Sequence, residues 1–201
     1  MRASQCIGCS GFPCIDVQHS AYLIPDVDVD PATISIAMIA EAAPASSGDY
    51  YYAAGSPLFA QTTLQAFADA GVAAGSMQEL VDLGIYFTTA VKCGKTGYAV
   101  ETRTVVECSR ILEAELALFP NVRVLLLMGD VAIKALNAIA KRAGEPRVIP
   151  AVATYKLRGQ EFHFRGMRVF PSYLQAGPSF FIEKSKRRMI AEDIAAALRF
   201  V

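Results

Sequence analysis

The sequence predicts an α/β fold: a three-layer α/β/α domain built on a central, mostly parallel four-stranded sheet. Three observations carry this. Short apolar, β-branched runs occur at residues 34–40, 85–91 and 122–128. Helix-length amphipathic stretches separate them, and strands alternating with helices imply a parallel sheet covered on both faces. After Pro146 the text changes to an alternating piece, residues 162–170, that reads as a hairpin whose second arm supplies the last sheet strand.

The elements follow in order. The run ISIAMIA at 34–40 is a buried strand leading into a loop rich in Ala, Pro, Ser and Gly. Residues 57–71 carry Phe59, Thr63, Phe67 and Ala70 at helical spacing and stop at Gly71. IYFTTAV at 85–91 is the second strand, followed by a Gly/Lys-rich loop over 92–98. Val105, Cys108, Leu112, Leu116 and Phe119 share one face of a helix over about 101–119. VRVLLLM at 122–128 is the third strand, and Gly129-Asp130 opens a helix to about Ala143. An amphipathic helix over 181–200 closes the chain, with Ile182, Met189, Ile190, Ile194, Ala197 and Leu198 inward. In open sheets of this kind ligands bind beyond the carboxyl ends of the strands. The loops to search are therefore 41–57, 92–98, 129–130 and 171–178.

At 201 residues the chain is one domain's worth, and 53% hydrophobic with 19% charged residues excludes intrinsic disorder. No apolar run approaches the ~20 residues of a membrane span, and the opening residues lack the apolar core of a secretory signal. A soluble, cytoplasmic monomer is expected. Net charge is zero, but residues 1–100 hold 3 basic and 9 acidic side chains against 16 and 10 in the remainder. That asymmetry suggests a polyanion partner for the basic half, or else a segregated solvated surface. The cluster Lys184, Lys186, Arg187 and Arg188, with Lys92, Lys95 and Arg168, is the candidate phosphate-contacting rim. Its alternative is a solvated helix face.

Five cysteines are present, three of them (Cys6, Cys9, Cys14) within nine residues, with Cys93 and Cys108 far downstream. In an intracellular chain such a set points to metal or redox chemistry rather than a disulfide frame. Among the loop residues, Glu41 and Asp49 offer carboxylates for acid–base work, and Ser172 and Tyr173 offer hydroxyls. Glu41 alternatively caps a helix or loop.

Several stretches resemble one family. Ile39-Ala40-Glu41-Ala42-Ala43-Pro44, then Gly48-Asp49 and Ser56-Pro57-Leu58-Phe59, together with Tyr86-Phe87-Thr88-Thr89-Ala90-Val91-Lys92-Cys93, Leu126-Leu127-Met128-Gly129-Asp130-Val131-Ala132 and Pro171-Ser172-Tyr173-Leu174, are similar in order and spacing to the motifs of the iron–sulfur (family 4) uracil-DNA glycosylases. The resemblance spans nearly the whole chain. It implies a single domain with a cluster-binding segment at about residues 1–30, a [4Fe–4S] cluster held by Cys6, Cys9, Cys93 and Cys108, and DNA as partner, single- or double-stranded, carrying a damaged base. Cys14 is the surplus thiol, able to replace Cys6 or Cys9, and zinc bound by four cysteines is the alternative metal. Glu41 or Asp49 would position water at the sugar C1′. Ala42, Phe59, Thr89, Phe170, Ser172 and Tyr173 would hold the base, with Phe59 stacking on it or serving as a core residue. Residues 173–178 would wedge into the duplex.

Two positions depart from the family pattern. Thr89 replaces an Asn that reads the base edge, and Phe170 replaces a His. A hydroxyl cannot reproduce bidentate amide geometry, and losing one preorganised donor costs about 100- to 1000-fold in rate. The expected activity is thus excision of a deaminated base with altered specificity, or nucleic-acid binding without catalysis. Neither His19 nor His163 falls in a matching motif; His163 reads as an edge residue, and His19 as a possible hydrogen-bond donor near the cysteines.

Overall fold

The computed structural model describes residues 1–97 and 99–201. In chain order the strands are β1 (Val17–Gln18), β2 (Ile36–Ala43), β3 (Ile85–Lys95), β4 (Val124–Met128), β5 (Phe162–Phe164) and β6 (Met167–Ser172). The helices are α1 (Leu58–Asp69), α2 (Met77–Asp82), α3 (Thr102–Leu116), α4 (Asp130–Arg142), α5 (Thr154–Leu157), α6 (Ser179–Ile182) and α7 (Lys184–Ala197). The sheet is six-stranded and mixed, in the order β1-β3-β2-β4-β6-β5. The four central strands are parallel, as their unbroken apolar character requires. The expectation of four strands is corrected by two short antiparallel edge strands, β1 on β3 and β5 on β6.

Helices cover both faces. Ala37, Ile39, Tyr86, Leu125, Leu127 and Val169 pack with Val105, Cys108 and Leu112 of α3 and Leu136 and Ile139 of α4. The alternate residues Ile36, Met38, Ile85, Phe87, Val124 and Leu126 pack with Phe67 of α1, Leu80 of α2, and Ile190 and Ile194 of α7. The period-two alternation of each strand decides which helix its side chains meet.

The strand β3 runs four residues further than its apolar run suggests, so Lys92 and Cys93 lie in the sheet rather than in a loop; Tyr98, at the expected loop's end, lies outside the described residues. Their placement follows from a bulge. Ala42 pairs with Val91 but Ala43 with Gly94, leaving Lys92 and Cys93 as extra residues in β3. Such a bulge re-aims side chains, and both turn inward toward α3. Lys92 is fully buried and ion-pairs with the equally buried Glu115. Its ammonium also donates to Thr88 Oγ1 at 2.7 Å and the Thr89 carbonyl at 2.6 Å, while Glu115 accepts from the Tyr86 hydroxyl at 2.7 Å. Lys92 is therefore a core cation and not part of a DNA-facing rim. Arg168 is likewise buried, donating to the carbonyls of Gln160 and Phe162.

The closing helix is broken at Glu183, and Ile182, expected inward, is 78% exposed just ahead of the break. The expected wedge at 173–178 is largely packed: Gln175 and Ala176 are buried, and Gln175 donates to the Tyr51 hydroxyl at 3.0 Å.

Glu115→Ala strands the Lys92 ammonium in the core, and urea denaturation is expected to show a loss of about 3–5 kcal/mol. The Lys92→Met, Glu115→Gln double variant is expected to lose less, because no charge is then left unpaired. A double variant that loses as much as Glu115→Ala contradicts this account of the pair.

Candidate functional site: a cysteine cluster beside a small polar cavity

There are two candidate regions, of which the polar one lies at the carboxyl ends of the parallel strands, where the fold class predicts a site. The first is sulfur-rich. Residues 1–30 are closed on themselves by the Met1 amino group on the Val29 carbonyl at 2.6 Å and are tied to the rest of the fold by the Leu23 amide on the Lys92 carbonyl at 2.7 Å and Thr96 Oγ1 on the Asp16 carbonyl at 2.8 Å. Asp16 also accepts from the Glu101 amide at 2.6 Å and from the Thr104 hydroxyl, so it satisfies the first turn of α3. Gly94 permits the close approach: a Cβ there would stand 2.7 Å from that of Ala21.

These ties bring the cysteines together. A cavity of about 420 Å³ is lined by Cys6, Cys9, Cys14 and Cys108, with Ile7, Pro13 and Ile111 among its other walls. Cys14, Cys93 and Cys108 are buried in one apolar cluster. Burial pushes the Cys93 thiol up to about 12, and the Cys108, Cys14 and Cys9 sulfurs are near enough to push it further in the same direction. Burial raises Cys108 to about 11 against an opposing hydrogen bond from the Lys92 backbone. Tyr22, raised to about 12 by burial, accepts the Cys9 amide at 2.8 Å and keeps its own proton.

Buried thiols that resist ionisation become thiolates only with a cation among them. The donor set therefore suits a metal centre, and its geometry bears on which kind. Zinc draws its sulfurs to about 2.3 Å from one ion, and among the described residues no three Cys, His, Asp or Glu side chains are gathered into a group of that sort. A cuboidal cluster gives each thiolate its own iron and accepts sulfurs set further apart. The His19 ring packs 5.1 Å from that of Phe12, and its Nε2 is buried without a hydrogen-bond partner.

The second region is a cavity of about 200 Å³ at the ends of β2, β4 and β6. It brings together five residues singled out from sequence: Glu41, Ser172, Tyr173, Lys186 and Arg187. Glu41 lies against Gly129, where a Cβ would come within 2.6 Å of its carboxylate, and Gly129 has a φ of 106° that favours glycine. One Glu41 oxygen faces the Val131 amide in the first turn of α4 at 3.5 Å and the other faces Lys95 Nζ at 3.9 Å. Glu41 thus takes the capping position while still lining the cavity.

Ser172 does not offer a donor to a ligand. It is fully buried, and its one proton goes to Asp193 Oδ2 at 2.5 Å. Burial raises the Asp193 carboxyl, while Arg158 and Ser172 pull it back. Tyr173 is half-buried with Lys186 Nζ 5.5 Å from its ring centre.

The remaining expected residues lie elsewhere. Asp49, Ala42, Phe59, Thr89 and Phe170 line neither cavity. Phe59 packs on Tyr51 at 5.3 Å and Tyr50 at 6.4 Å, within an aromatic group that includes Phe87. Thr89 is fully buried and its hydroxyl has no partner. Phe170 packs against Phe200 and the Arg168 guanidinium. On α7, Arg187 is held by Asp69 at 2.7 Å, Lys186 by Glu183, and Arg188 by Glu192 at 3.6 Å, while Lys184 is exposed. Exposed pairs of this kind contribute little, so phosphate oxygens can compete for them.

Sequence reasoning missed Asp16, Tyr22, Glu115 and Asp193, the last three being partners of residues it did find, Cys9, Lys92 and Ser172. Only Asp16 carried a local signal, an acidic residue two positions after Cys14.

Burial opposes ionisation of Asp16, but the bonds from Thr104 and the Glu101 backbone outweigh it and hold its carboxyl below the usual carboxylate range. Its contribution is then fully present above the unfolded value near 4 and is lost as pH falls through the lower folded value. Hydrogen exchange of residues 1–30 is expected to stay slow from neutral pH down to about 4 and to quicken below it. In Asp16→Asn the exchange is faster at neutral pH, and the acid step is absent. An unchanged acid step in Asp16→Asn contradicts the assignment.

No protein-family model matches the chain, and no curated protein matches it.

Proposed function

We propose that the protein is an iron–sulfur DNA glycosylase of the uracil-DNA glycosylase type, which takes a deaminated base and hydrolyses its N-glycosidic bond. The observation that carries the reading is the joining of Glu41, Tyr173, Lys186 and Arg187 in one cavity at the strand ends, in a chain that separately converges four cysteines on another cavity. A [4Fe–4S] cluster held by four of the cysteines would supply a structural bond between the N-terminal segment, β3 and α3.

The residues' own roles follow from their chemistry. Glu41, beside the α4 terminus, accepts a proton from a water molecule as that water's oxygen bonds to C1′. The C1′–N bond breaks and its electron pair leaves with the base. Tyr173 offers a ring face for stacking, and Lys186 and Arg187 hold the flanking phosphates by exchanging carboxylate partners. Asp193 fixes Ser172 and with it the end of β6.

A second reading, a nucleic-acid binder of the same type without catalysis, is favoured by one observation: Phe59 is engaged by Tyr50 and Tyr51, and Thr89 is fully buried, so neither lines the polar cavity. One assay separates the two. The protein, prepared without oxygen, is incubated with single- and double-stranded oligonucleotides containing uracil, hypoxanthine or xanthine. Abasic sites are expected with at least one, and Glu41→Gln is expected to lower the rate by about 100- to 10,000-fold. Salt-dependent binding with no abasic site in any substrate supports the second reading. Neither binding nor cleavage overturns both.

A further inference from the structure

We infer that the cluster's ligands are Cys9, Cys14, Cys93 and Cys108, and that Cys6 is a free thiol at the cavity mouth. The inference rests on the iron–sulfur reading above and departs from the Cys6-x-x-Cys9 pair that the resemblance implies.

Four observations carry it. Cys14 is buried in the same apolar cluster as Cys93 and Cys108, whereas Cys6 is exposed. The Cys6 sulfur has a partner of its own, the Arg2 carbonyl at 3.5 Å, in the turn that follows the 3-10 segment Ala3–Gln5. The Cys9 backbone is fixed by Tyr22, which reaches the sulfur-rich region from the segment that follows.

The loop between Cys9 and Cys14 is the fourth. It doubles back through two successive left-handed residues, Gly11 at φ 83° and Phe12 at φ 43°, and both of its ends, Cys9-Ser10 and Pro13-Cys14, line the cavity. A non-glycine residue in that region costs on the order of 1 kcal/mol and persists where its surroundings fix it. Two thiolates bound to one cluster, at either end of this loop, provide that restraint. A Cys6–Cys9 pair leaves the strained loop outside the chelate and Cys14 buried without a role.

The test uses the full chain, expressed and purified without oxygen, as wild type, Cys6→Ser and Cys14→Ser. Iron and acid-labile sulfide content and the visible absorption band are measured for each. Cys6→Ser is expected to match wild type, and Cys14→Ser to lose most of its iron. Because Cys14 is a core residue, a second measurement avoids variants: the native wild-type protein is treated with a thiol alkylating reagent and the labelled position is read by mass spectrometry. Label on Cys6, with Cys14 protected until the iron is chelated, supports the assignment. Iron lost from Cys6→Ser but kept in Cys14→Ser, equal loss from both, or label on Cys14 with Cys6 protected overturns it. Wild-type protein without iron instead overturns the iron–sulfur reading itself.

Discussion

Burying several thiols from distant parts of one chain in a single apolar place is the constraint on which the rest of the structure depends. Thiols there are poor acids, since burial raises both Cys93 and Cys108. The fold nonetheless assembles them from three sources: the N-terminal segment, the bulged end of β3 and the inner face of α3. Each source is held independently, by Asp16 on α3, by Leu23 on the Lys92 carbonyl, and by the Lys92–Glu115 pair within the core. A metal centre, as proposed above, would give this convergence an energetic reason, because a cation among the sulfurs stabilises thiolates that burial disfavours.

The bulge in β3 links the two halves of the account. It turns Lys92 and Cys93 toward α3, and the strand then continues to Lys95, whose ammonium faces Glu41 in the neighbouring cavity. One strand therefore carries both a buried thiol, Cys93, and a charged neighbour of Glu41, Lys95. Whatever orders the end of β3 also sets the electrostatic surroundings of Glu41.

The central strands were legible in the sequence because parallel strands buried on both faces read as continuous apolar runs. The edges were not: β1 has two residues and β5 three, too short for periodicity to register. The helix α2 did leave a signal, the Ser76-x-x-Glu79 capping box, in which Ser76 accepts the Glu79 amide at 3.2 Å. Among the residues that line the polar cavity, Glu41, Ser172 and Tyr173 were legible because strand ends in this fold class are where cavities open. The burial of Lys92 was not, because it depends on a two-residue register shift against β2. Nor was the neutralisation of Arg187, whose partner Asp69 is 118 residues away in the chain.

The most direct measurement is native mass spectrometry of the full chain purified without oxygen. The account predicts one species heavier than the polypeptide by four irons and four sulfides, collapsing to the bare chain after acid treatment. A bare polypeptide at the outset, or an added mass of a single zinc ion, contradicts it.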